Sequence, residues 1–94
     1  VQLAFWSPLP PSPSGIADYV FEQLSVLSAM AEVTAVVEQK GAAPPGVTLA
    51  LPDECPEADL HLYELGNSPA HAYVYRAALA RPGISVLHEW SLHH

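Results

Sequence analysis

Hydrophobic spacing divides this chain into short apolar runs of two kinds. Residues Gln2 to Trp6, "QLAFW", form a compact, partly aromatic run whose length predicts a buried strand. From Gly15 the spacing changes. Ile16, Val20, Leu24, Leu27 and Ala31 recur at intervals of four and three, and Asp18, Glu22, Gln23 and Ser25 fall on other faces. That pattern predicts an amphipathic helix, with Ser14 as its N-cap and Asp18 complementing the positive end of its dipole. "VTAVV", Val33 to Val37, is a β-branched run typical of a strand covered on both faces. The turn-rich stretch Gln39 to Glu57 contains one short strand candidate, Val47 to Leu51, and "DLHLYEL", Asp59 to Leu65, is the next. "GNSPAHAYVYRAALARPG" reads as a helix capped by Asn67 or Ser68. Pro69 takes its first position, Arg76 and Arg81 lie towards its negative end, and Pro82-Gly83 stops it. "ISVLH", Ile84 to His88, is a last apolar strand.

Strands alternating with helices imply a parallel sheet with right-handed crossovers. The expected class is α/β, a Rossmann-like parallel sheet with flanking helices, in one partial domain over residues 1–94. The last strand has no covering helix after it, the chain opens on Val1, and it ends without a terminator. These features lead us to expect an incomplete domain, with an unpaired edge and an open apolar face that favour self-association.

Composition narrows the partners. The net charge is -7, and Lys40, Arg76 and Arg81 are the only Lys and Arg residues. Such a chain repels phosphate backbones and anionic lipid, so neither nucleic acid nor basic-patch membrane docking is expected. One cysteine, Cys55, excludes an internal disulfide and fits a reducing, cytoplasmic compartment. No apolar run approaches the roughly 20 residues of a transmembrane helix.

Three segments carry candidate chemistry, and each follows the carboxyl end of an expected strand, where open α/β sheets bind ligands. "SPLPPSPSG" is stiffened by its prolines and ends at a helix N-terminus, which favours an anion; Gly15 leaves no Cβ in the way. A rigid crossover without a ligand is the competing reading. In "GNSPAH", Asn67 suits a substrate hydroxyl and His71 lies in the first helical turn, against plain capping as the alternative. In "LHEWSLHH", His88 and Glu89 suit hydrogen bonds to a substrate hydroxyl, and Trp90 suits packing on a sugar ring. His88, His93 and His94 match no standard zinc spacing, and no metal is expected. His61 and Glu64 fall on opposite faces of one strand, and Asp53, Glu54, Glu57 and Asp59 read as a solvated loop. Cys55 has no histidine close to it in sequence, so a nucleophile role there is weak.

Taken in order, "FWSPLPPSPSGIADY", "LYELGNSPAHAYVY" and "RPGISVLHEWSLHH" resemble the N-terminal domain of GT-B glycosyltransferases of the retaining family 4 type. The resemblance runs from Leu3 to His94 except for the connection from Gln39 to Glu57. It implies a two-domain enzyme that moves a sugar from a nucleotide-sugar donor to a carbohydrate or lipid-linked acceptor, typically without metal or other cofactor. On that resemblance Gly15 matches the loop near the donor phosphates and the transferred sugar, with Ser14 beside it as a substrate-binding residue, Asn67 and His71 line the cleft, and His88 contacts the transferred sugar as the catalytic candidate. Glu89 stands where aspartate is more usual. The donor-binding second domain is not within these residues, so the fragment alone is expected to be inactive. A non-catalytic α/β binding module is the alternative, and a small histidine-rich metal-binding protein a third reading.

Overall fold

The computed structural model of the chain describes residues 1–9, 15–66 and 69–87. It is an α/β fold built on one five-stranded, all-parallel sheet. In chain order the elements are β1 (Gln2–Trp6), α1 (Gly15–Leu27), β2 (Glu32–Val36) and β3 (Val47–Ala50). A 3-10 turn at Pro52–Glu54, β4 (Leu60–Leu65), a 3-10 turn at Pro69–His71, α2 (Ala72–Ala80) and β5 (Ile84–Leu87) follow. The strand order is β3-β2-β1-β4-β5, so the sheet grows outward from β1 in one direction and then reverses. This is the Rossmann-like order, with its switch point between β1 and β4.

The period of two along β1 explains the layers. Leu3 and Phe5 face α1, where they join Val20, Leu24, Val33 and Ala35 in one buried cluster. Ala4 and Trp6 face α2 and pack with Val36, Tyr63, Tyr73 and Val74 in a second. Each helix therefore covers one face of the central strands, and β1 is buried by both. β5 lies at the edge, and Leu60, Ile84 and Val86 remain exposed on the α1 side of the β4-β5 pair.

Several boundaries differ from the sequence pattern for local reasons. α1 ends at Leu27, short of Ala31, because the chain tightens: the N–H groups of Ala29 and Met30 donate to the carbonyls of Val26 and Leu27. The Ser28 hydroxyl also donates to the Ser25 carbonyl at 2.9 Å, and Ala31 still packs on the core. Pro69 opens a 3-10 turn rather than α2 itself, a frequent device at helix N-termini. Arg81 is the C-cap residue, its N–H donating to the Ala77 carbonyl at 3.0 Å, and Arg76 sits mid-helix, 3.6 Å from Glu38.

The β2-to-β3 crossover contains no helix. It turns at Pro44-Pro45-Gly46, where Gly46 has a φ of 83° and the Val47 N–H donates to the Pro44 carbonyl. The Ser28 hydroxyl reaches the Pro45 carbonyl at 3.3 Å, tying this loop to the end of α1. The next connection crosses the α2 face, burying part of Cys55 and Ala58 against the second cluster on its way to β4.

Candidate functional site

Parallel strands place every carboxyl end on one rim, and here β1, β4 and β5 are neighbours in the sheet. They end at Trp6, Leu65 and Leu87. The three segments singled out by sequence therefore leave the sheet from adjacent strands, and the first two flank the switch point. Along this rim Ser7 is buried, its hydroxyl donating to the Pro8 carbonyl at 3.1 Å, and Leu9 turns into the α1-side core. Burial of Leu9 shows that the proline-rich segment is anchored at its start.

Gly15 is the first residue of α1, as expected. His71 closes the 3-10 turn before α2 and is fully buried. Ser14, Asn67, His88, Glu89 and Trp90 lie outside the described residues, as do His93 and His94. Among the described residues no group of three metal-ligating side chains converges, and no helix is long and apolar enough to cross a membrane.

The α2 side of the rim is held by Tyr73. Its hydroxyl donates to the Val36 carbonyl at 2.7 Å, fixing α2 to the end of β2. Burial, and then the Glu38 carboxylate, push the Tyr73 phenol far above its ordinary range, so it stays a donor at any physiological pH. Beside it a groove of about 300 Å³ runs between α2 and the ends of β2 and β3, lined by Trp6, Glu38, Pro52, Tyr73 and Arg76 among others. On the exterior, Glu54 accepts from the Leu51 N–H at 3.0 Å and pairs with Lys40 at 2.9 Å. Those two contacts, the backbone bond first, hold its carboxyl below the usual range. Asp53, Glu54, Glu57 and Asp59 are all exposed, as a solvated acidic loop requires.

One polar cluster was not visible in the sequence. The Trp6 indole N–H donates to His61 Nδ1 at 3.1 Å inside the α2-side core. His61 stacks on Tyr63 at an interplanar angle of 12°, and the Tyr63 hydroxyl donates to the Arg81 carbonyl at 2.8 Å. The Arg81 guanidinium lies 3.4 Å from His61 Nε2 and 3.9 Å from Cys55 Sγ. Residues 26 positions apart, Cys55 and Arg81, are thus brought together. The usable signal was the period of two: Trp6 and His61 share a face once β1 and β4 are known to pair.

Burial, and then the neighbouring Arg81 charge, hold the His61 imidazole below its ordinary value of 6.5. The folded protein thus binds fewer protons than the unfolded chain between the depressed value and 6.5. Its contribution to stability is complete above that window and is lost as pH falls through it. Chemical denaturation across this range should show stability rising with pH, and His61→Gln should flatten the slope. An unchanged slope in the variant would assign the effect elsewhere.

No protein-family model, curated protein or solved structure matches the chain.

Proposed function

We propose that this chain forms the acceptor-side half of a sugar-transfer cleft, in a glycosyltransferase that uses a nucleotide-sugar donor. The observation that carries the reading is topological. The proline-rich segment and "GNSPAH" follow β1 and β4, the two strands that flank the switch point, and "HEWSLHH" follows the next strand, β5. Ligands of open α/β sheets bind in that crevice.

Each residue type suits a step of the transfer. The bond between the sugar's anomeric carbon and the diphosphate oxygen breaks as one to an acceptor oxygen forms, and negative charge grows on the leaving group. The start of α1 at Gly15 offers backbone N–H groups and the positive end of a helix dipole to that charge. Ser14, next to it in sequence, brings a hydroxyl suited to the same anion. Asn67 and Glu89 are hydrogen-bonding partners for hydroxyls, Trp90 is a flat surface for a sugar ring, and His88 contacts the sugar being transferred. His71 is buried in the turn Pro69–His71 that leads into α2. Binding of the nucleotide belongs to a second domain, supplied by the remainder of a longer polypeptide.

The test is an assay of nucleotide-sugar turnover on the full-length polypeptide and on the 94-residue chain. Transfer by the full-length protein and none by the 94 residues is the expected pattern. Turnover by the isolated 94 residues would sink the half-cleft reading, and tight binding without transfer by the longer protein would favour a non-catalytic module.

A further inference from the structure

At the opposite rim of the sheet, where β4 begins and α2 ends, a second polar cluster stands apart from the proposed transfer cleft. There His61 is held between two donors. Its Nδ1 faces the Trp6 indole N–H at 3.1 Å, and indole nitrogen can only donate. Nδ1 must therefore present its lone pair, so the neutral ring carries its one proton on Nε2. But Nε2 lies 3.4 Å from Arg81 Nη1, another group that can only donate. Two N–H groups thus face each other across this gap, and among the described residues the one acceptor beside them is the weak Cys55 sulfur, 3.9 Å from Arg81 Nη1. Protonating His61 does not relieve the conflict, because it would set a second cation against the guanidinium and break the bond from Trp6.

Arg81 is also underused. Lys40 pairs with Glu54 and Arg76 with Glu38, whereas among the described residues Arg81 pairs with no carboxylate. Its polar side-chain contacts are His61 and the Cys55 sulfur at 3.9 Å, a weak acceptor. His61 and Arg81 both line a cavity of about 330 Å³, together with Cys55, Pro56, Glu57 and Ala58. Cavities of this size accept small molecules.

We propose that Arg81 and His61 form a binding site for a small carboxylate, whose oxygens accept from Arg81 Nη1–H and His61 Nε2–H. One acceptor group between the two donors satisfies both, and a charge-assisted bond to guanidinium is the stronger of the pair. The exposed Glu57 carboxylate on the same cavity selects by charge. It tolerates a monoanion beside Arg81 and opposes a dianion such as phosphate, as does the overall charge of -7.

The experiment uses the 94-residue chain labelled with nitrogen-15, above pH 7, where His61 is neutral. Ring nitrogen shifts report the tautomer, and a proton on Nε2 of His61 is expected; a proton on Nδ1 overturns the proposal. Sodium acetate is then titrated against sodium chloride at matched ionic strength. Saturable shifts of His61 Nε2 and the Trp6 indole N–H with acetate only are expected, with phosphate weaker. Arg81→Gln should raise the acetate dissociation constant at least about tenfold, the loss of one charged hydrogen bond. Equal shifts with chloride, or unchanged acetate affinity in Arg81→Gln, would overturn the site. Arg81 is exposed and its anchoring bond to Tyr63 uses the backbone carbonyl, so the variant retains that contact. Should it nevertheless unfold, the wild-type tautomer and the chloride control decide the matter between them.

Discussion

Replacing Trp6 by alanine is expected to remove most of the folding free energy of this chain. Trp6 is 4% exposed at the centre of the α2-side core, with its ring within 6.5 Å of the rings of His61, Tyr63 and Tyr73. Truncating a buried aromatic to alanine costs about 3–5 kcal/mol through lost transfer energy and the cavity left behind. The change also strips His61 Nδ1 of its donor, adding about 1 kcal/mol for the orphaned acceptor. Against a total of roughly 5–15 kcal/mol for a small domain, the loss leaves little margin. Urea unfolding should show the midpoint collapsing towards zero denaturant. Trp6→Phe separates the two contributions, since it keeps a ring but no donor. Its loss should be smaller, because most of the buried ring surface is kept. A Trp6→Ala protein with a near-wild-type midpoint would contradict the packing described for this face.

The second large effect is expected at Gly83, the residue before β5. A Cβ built there would collide with the His61 carbonyl oxygen and approach Tyr63 Cε2 to 2.6 Å. The oxygen belongs to the backbone of β4, which pairs with β5 from Leu62 opposite Ile84, so neither side can retreat without breaking the ladder. Overpacking of this kind costs about 3 kcal/mol, and roughly 12–24 °C in melting temperature for a domain of this size. Gly46→Ala is the comparison. There φ is 83° but the new Cβ would meet Ser28 at 3.3 Å, so the left-handed backbone dominates and costs about 1–2 kcal/mol. Gly83→Ala melting no lower than Gly46→Ala would show that β5 sits further from β4.

Much of this architecture is legible in spacing alone. Each of the five strands falls within a residue or two of its expected limits, because short β-branched and aromatic runs bounded by Pro and Gly admit few other readings. The reversal of strand order was not readable. It depends on how the stretch from Val37 to Asp59 crosses the sheet, and local propensity says nothing about which side of β1 a later strand joins. The same limit hid the chain from Trp6 through His61 to Arg81, which exists only once β4 lies beside β1. His71 shows a third kind of limit. Its place at the start of a helix is readable, but its full burial in the 3-10 turn Pro69–His71 is not. On the candidate site, the sequence located the segments by their strands, and the sheet order made them neighbours.

The central claim is that the carboxyl-end rim of this sheet is one wall of a sugar-transfer cleft. The most direct measurement is the turnover of a nucleotide-sugar by the full-length protein and by its His88→Ala variant, with melting temperatures recorded for both. The account predicts a fall in turnover of about a hundredfold or more, as for removal of a transition-state hydrogen-bond donor, with the melting temperature unchanged. Wild-type turnover in the His88→Ala variant would contradict it.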